Sequence, residues 1–193
     1  IHAEKQRLIK AGTIKKEKPL PEITEDDLRL INQPIDFYAQ NIYQGSKIKA
    51  GSDGEPIVVE YPKDAPLTCM GWPITPKSLY WGPRFLAERY KLPLYITENG
   101  AAMPDILIED GKIHDTDRVE FLSSYLAELE RAVNDGVDVR GYFLWSFMDN
   151  FEWAKGYGPR FGIVYTDYES MQRIPKDSAY WYKEYITKHK KVN

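Results

Sequence analysis

Leu94-Tyr95-Ile96-Thr97-Glu98-Asn99-Gly100 sets one carboxylate at the point where an apolar run stops and a turn begins. The run 92–97 is rich in β-branched and aromatic residues and short enough for a buried strand, while Asn99-Gly100 is turn chemistry. Glu98 therefore falls at a strand's C-terminal end. In parallel α/β architectures catalytic groups collect at that edge, because the strands hold the backbone rigid and the following loops shape a cleft. Glu98 is a candidate nucleophile on this ground. The heptapeptide alone equally allows a carboxylate that caps the following loop.

Downstream, Val119, Leu122, Leu126, Leu129 and Val133 mark one face of a helix. Thr116 is placed to cap it, Asp117 and Glu120 suit its N-terminus, and Asn134-Asp135-Gly136 ends it. A strand over 137–147 follows directly, so strand, amphipathic helix and strand form a βαβ unit with parallel strands. Upstream, 35–43 reads as another strand, and Lys47-Ile48-Lys49 and 57–61 flank Gly51-Ser52-Asp53-Gly54 as a hairpin inserted in a loop over 44–66. Thr75-Pro76 reads as a helix start that Gly82-Pro83 must interrupt or kink. Thr24 to Asp27 caps a short helix before Leu28, Leu30 and Ile31, and a last helix runs from Asp177 to about Lys190 with Trp181, Tyr185 and Ile186 on or near its packing face.

The composition is that of an ordinary globular chain, 42% hydrophobic and 28% charged, which argues against disorder. A net charge of -3 gives no footprint for nucleic acid. No apolar run approaches the ~20 residues of a membrane-spanning helix, and the first residues lack a signal peptide's apolar stretch. Cys69 is alone, which rules out an intrachain disulfide or a cysteine zinc site and points toward a reducing, cytoplasmic setting. His2, His114 and His189 are too far apart to form a spaced ligand set, and no glycine-rich phosphate loop appears, so neither metal nor cofactor is expected. Lys15-Lys16-Glu17-Lys18 and Lys188-His189-Lys190-Lys191 read as a solvated linker and a solvated helix end. The unusual figure is 13% aromatics, with 14 Tyr and 5 Trp; such rings serve as sugar platforms but also as core and interface residues.

Three blocks carry a resemblance: Asp36-Phe37-Tyr38-Ala39-Gln40-Asn41-Ile42-Tyr43, then Ile96 to Gly100, then the long stretch from Gly141 through Trp145, Glu152-Trp153, Gly156-Tyr157 and Arg160-Phe161 to Glu169. In this order and spacing they closely resemble glycoside hydrolase family 1, the β-glucosidase family, from about Ile35 to the C-terminus. The resemblance implies an α/β fold, a (β/α)8 TIM barrel, of which only a partial barrel is present, approximately strands 6–8 with their helices. It also implies hydrolysis of β-linked sugars with retention through a covalent glycosyl-enzyme, needing no cofactor. Glu98 matches the family's nucleophile and Tyr43 the tyrosine whose hydroxyl orients it; on its own residue type Tyr43 would read as a half-buried strand aromatic. Asn41, two residues earlier on the strand, points the same way. The resemblance further puts Glu152 and Trp153 at the sugar hydroxyls, Trp145 as ring platform, Phe161 at the sugar's outer edge and Trp72 on the aglycone side.

The family's acid/base glutamate lies in an Asn-Glu-Pro segment, and this sequence contains none; Gly54-Glu55-Pro56 falls in the expected hairpin turn and reads as structural. Length makes the same point. A (β/α)8 barrel takes about 250 residues, with ~200 as the lower end, and 193 residues fall short. The chain opens on Ile1 and is most simply one domain over 1–193. The resemblance leads to the expectation of the C-terminal part of a retaining β-glycosidase that hydrolyses β-linked glucosides or galactosides, completed by an N-terminal chain that brings the acid/base or by self-association. The alternative is a catalytically incomplete fragment that binds sugars or flat aromatic ligands or associates with itself.

Overall fold

The computed structural model describes residues 2–13 and 21–189. Two compact units are present, Ile1–Ile35 and Asp36–Asn193. The first holds helices α1 (His2–Lys10) and α2 (Glu25–Ile31). Helix α2 starts as its sequence predicts. Thr24 closes a capping box with Asp27, its backbone N–H donating to the Asp27 carboxylate at 2.9 Å and its hydroxyl accepting the Asp27 N–H at 3.1 Å. The Lys15–Lys18 run and the Lys190-Lys191 tail lie outside the described residues.

The second unit carries the site. Its centre is a parallel sheet in the order β1-β4-β5, formed by β1 (Tyr38–Asn41), β4 (Leu94–Asn99) and β5 (Val139–Leu144). Between the first two come a hairpin of β2 (Lys47–Ala50) and β3 (Pro56–Val59), then α3 (Ser78–Tyr90). Between the last two lies α4 (Thr116–Asn134), and after β5 come a small antiparallel pair, β6 (Val164–Thr166) with β7 (Arg173–Pro175), and α5 (Asp177–His189). Leu94 and Ile96 point to the helical side. They are sealed there with Leu79 of α3 and Phe121, Leu122, Tyr125, Leu126 and Leu129 of α4, while Trp181, Tyr182 and Tyr185 of α5 pack against the same cluster. The opposite face of the sheet is open: Phe37, Phe143 and Phe147 are each more than half exposed, and Phe37 meets Tyr95 edge-on at 5.1 Å. The sheet is therefore a section of a barrel wall and does not close.

Two local expectations about helix starts fail. Thr75 does not cap α3; its hydroxyl accepts the Gly45 N–H at 2.9 Å, and α3 runs unbroken through Gly82-Pro83 because Leu79, Tyr80 and Pro83 are buried. Thr116 is the first residue of α4, not its cap, and the preceding Asp115 spends its carboxylate on Ser178 and Arg118. Ile186 of α5 remains about half exposed, unlike Trp181 and Tyr185. No described helix is long and apolar enough to cross a membrane.

Candidate active site

The C-terminal ends of β1, β4 and β5 are laced together through residues 98–100. Ile42 donates its N–H to the Glu98 carbonyl at 2.9 Å. The side chain of Asn99, fully buried, donates to the Ile42 carbonyl at 2.8 Å and accepts the Tyr142 hydroxyl at 2.7 Å. Trp145 N–H closes the lacing on the Asn99 carbonyl at 2.9 Å. Gly100 lies so close that a β-carbon there would stand 1.7 Å from the Trp145 carbonyl oxygen, so only glycine fits. The turn read from Asn99-Gly100 is thus a three-strand junction, and it fixes the root of Glu98.

From that root the Glu98 carboxylate meets Tyr43, whose hydroxyl donates to Oε2 at 2.5 Å. Burial, then the bond to Glu98 and its charge, push the Tyr43 phenol far above its ordinary value, so it stays protonated and donating. Asn41 stands beside them, its side-chain oxygen accepting the Thr97 hydroxyl at 2.7 Å. Trp72 packs against Tyr43 at 5.3 Å between ring centres, and Asn41, Tyr43, Gln44 and Trp72 border a recess of about 230 Å³. Phe161 is 3% exposed and touches both rings, at 6.2 Å from Tyr43 and 6.1 Å from Trp72.

Glu152 and Trp153 ride on the loop after β5. Glu152 N–H donates to the Gly156 carbonyl at 2.7 Å, which curls the tip. Trp153 is 82% exposed in a left-handed conformation, φ 42°, that a non-glycine residue adopts only under constraint. Desolvation, then the Glu98 charge, hold the Glu152 carboxyl above its ordinary value, so the two carboxylates sense one another across the site. Trp145, half-buried, is joined to Ser146 by a cis peptide bond.

The base of this loop is held by buried charges that the sequence reading missed. Asp149 accepts the Gly162 N–H at 2.9 Å, Arg160 at 2.6 Å and Lys176 at 3.0 Å. Lys176 Nζ also reaches Asp105 at 2.5 Å and the Gly162 carbonyl at 2.5 Å. Arg118 joins from α4 with bonds to Asp105 at 2.9 and 3.0 Å, to Asp115, and to the Arg160 carbonyl at 2.9 Å. Arg118, Arg160 and Lys176 balance Asp105, Asp115 and Asp149, so the cluster is neutral and its members satisfy one another. Nothing in Ile174-Pro175-Lys176-Asp177 signals a buried lysine; those residues read as an ordinary helix entry.

The family model for glycosyl hydrolase family 1 matches residues 6–191. The chain is 45% identical over 168 residues to Beta-glucosidase A of Thermotoga maritima, 86% of this chain and 38% of that protein. It is 46% identical over 170 residues to Beta-glucosidase A of Acetivibrio thermocellus, 84% of this chain and 37% of that protein. Among solved structures, Thermotoga maritima beta-glucosidase in complex with castanospermine superposes with a TM-score of 0.80 at 43% identity over 90% of this chain and 39% of that one. The chain thus spans well under half the length of these relatives. A match over nearly every residue, together with the barrel-wall section found above, establishes that the chain belongs to glycosyl hydrolase family 1.

Proposed function

We propose that this chain is the C-terminal part of a retaining β-glycosidase, acting on β-linked glucosides or galactosides with Glu98 as nucleophile and Tyr43 as its orienting donor. One observation carries the reading: the 2.5 Å phenol–carboxylate bond at the C-terminal edge of a parallel sheet, in a family 1 chain. A carboxylate so held is aimed by a donor, as attack on an anomeric carbon requires. Glu152 offers the two acceptor oxygens that vicinal sugar hydroxyls need. Trp145 gives a ring face for the sugar and Trp153 stands with Glu152 at its hydroxyls, with Phe161 at the sugar's outer edge, Asn41 a further polar contact and Trp72 a wall toward the leaving group. Retention requires a second carboxyl group about 5 to 5.5 Å from the first. With no Asn-Glu-Pro in the sequence, that group comes from an N-terminal portion completing the barrel.

The test is intact-mass spectrometry after exposure to 2,4-dinitrophenyl 2-deoxy-2-fluoro-β-glucoside, whose leaving group departs as dinitrophenolate without an acid. Glu98 forms a bond to the anomeric carbon as the bond to the phenolic oxygen breaks. The adduct should persist, because the missing residue would also have been the base that activates water. Mapping of the adduct to Glu98, and its absence in Glu98→Gln, are expected. A label elsewhere, or brisk cellobiose hydrolysis by the single chain with no partner, would overturn the assignment. The missing Asn-Glu-Pro also favours a second reading, a sugar-binding fragment without turnover. Binding of an iminosugar such as castanospermine with no covalent label would select it.

A further inference from the structure

The Tyr43 phenol is only as well placed as its own backbone, and that backbone is held from the helical layer. Tyr125 of α4 is fully buried, and its ring stacks on Phe121 at 3.9 Å and 21°. Its hydroxyl donates to the Tyr43 carbonyl at 3.1 Å and accepts the Thr75 N–H at 2.7 Å. Thr75 in turn holds the Gly45 N–H at 2.9 Å, and the Tyr61 hydroxyl holds the Gly45 carbonyl at 2.8 Å. On the other side, Ile42 is already tied to Glu98 and Asn99. The segment 42–45 is therefore clamped at both ends, with Tyr125 holding the carbonyl of Tyr43 itself.

We infer that Tyr125 is a positioning residue for the nucleophile, acting through the Tyr43 backbone to fix the phenol–Glu98 bond; this rests on the reading of Glu98 as the attacking carboxylate. Tyr125 lies apart from the residues that border the recess of Tyr43 and Trp72, so its influence passes along the chain and not through sugar contact. Burial pushes its phenol up, so the hydroxyl keeps the proton it donates. A bond as short as that between Tyr43 and Glu98 weakens steeply with distance and angle. A drift of the Tyr43 carbonyl by a few tenths of an ångström thus reaches Glu98.

Tyr125→Phe keeps the stacked ring and removes only the hydroxyl. In the full chain carrying 13Cζ-labelled tyrosine, the Tyr43 signal, assigned by its loss in Tyr43→Phe, should move toward that of a free phenol in Tyr125→Phe. The rate of fluoroglucoside labelling should fall about tenfold, the effect of roughly one neutral hydrogen bond. In a Tyr43→Phe background the same substitution should change labelling less than about twofold, because the pathway is already cut. An unmoved Tyr43 signal in folded Tyr125→Phe, or losses that multiply in the double variant, would overturn the inference, since a merely structural role gives the latter. If Tyr125→Phe does not fold, Phe121→Leu, which loosens the stack and keeps the hydroxyl, takes its place with the same readouts. Failure of the parent chain to label counts against Glu98 as nucleophile, while the 13C comparison still decides the positioning.

Discussion

The Tyr43 phenol donates to the Glu98 carboxylate at 2.5 Å, and single substitutions test the role proposed for that pair. Tyr43→Phe keeps the ring against Trp72 and Phe161 and removes one charge-assisted hydrogen bond. We expect a cost of about 1.5–3 kcal/mol in the attack step, roughly a 10- to 150-fold slower covalent labelling at unchanged melting temperature. Labelling at the parental rate would remove Tyr43 from the site. Glu152 gives a test with a sign. Its carboxyl is held above its ordinary value first by desolvation and then by the Glu98 charge, so the native state keeps that proton to higher pH than the unfolded chain does. Stability from this group is therefore largest below the ordinary carboxylate range and is lost as pH rises through the raised value. Glu98→Gln removes the repelling charge, and the Glu152 carboxyl signal in a 13C titration should shift to lower pH; an unmoved midpoint would mean the two groups do not face one another. At this scale the sequence was informative where residue type and chemistry coincide, as for Glu98 at a strand end. It was silent where a residue works through partners far away in sequence, as Asn99, Tyr125 and Lys176 do.

Elements are held together by buried charge and by exposed staples such as His114. Lys176, at the entry to α5, binds Asp149 and Asp105 with its side chain fully buried, so Lys176→Met removes the buried charge they share and leaves Asp149 to Arg160 and Asp105 to Arg118. The expected loss is about 3–5 kcal/mol, read as a lower urea midpoint, with the β5–β6 loop loosening first in hydrogen exchange. A loss within about 0.5 kcal/mol would show the cluster to be surface-like in strength. His114 links the loop before α4 to the first turn of α5, at 2.6 Å from Asp177 and 3.3 Å from Asp110. The bond to Asp177, then that to Asp110, raises its pKa, so its stabilising charge is complete below the ordinary histidine value and is lost as pH climbs through the raised one. Amides in the first turn of α5 should exchange faster at roughly pH 8.5 than at roughly pH 5.5, after correction for intrinsic rates, and His114→Gln should flatten the difference. Helices α2, α4 and α5 and the three parallel strands were legible because periodicity and turn chemistry agree there, whereas α1 went unread. The β6–β7 pair was not, being three residues a side and bracketed by Asp167 to Ser170, whose side chains close their own turn. The α3 start was misread because Thr75, a good cap by type, serves the β1 loop instead.

At the scale of the whole molecule the decisive quantity is the sheet. Three parallel strands leave β1 and β5 unpaired on their outer edges among the described residues, and one face shows Phe37, Phe143 and Phe147 to solvent while the other is sealed by helices. An unpaired edge carries a row of free backbone donors and acceptors, and apolar rings beside it add area to whatever pairs there. The shortfall was legible from length alone, since 193 residues do not make an eight-stranded barrel, and the 38% coverage of the Thermotoga maritima relative agrees with it. What length did not reveal is which face lies open; that needed the register that turns Leu94 and Ile96 toward α3 and α4. Alone, the chain should associate through this face, running above its 22.4 kDa mass in light scattering and binding an apolar dye. Phe143→Ser, at a position already 58% exposed, should reduce both signals without unfolding the helical side. Supplying a separate N-terminal portion of a family 1 enzyme that carries Asn-Glu-Pro should quench the dye signal, replace self-association by a defined heterodimer, and bring disaccharide hydrolysis that neither part has alone. A compact, dye-silent monomer would contradict the open face. A heterodimer that forms yet stays inert toward disaccharides would instead locate the fault in the pairing of Glu98 with its incoming acid.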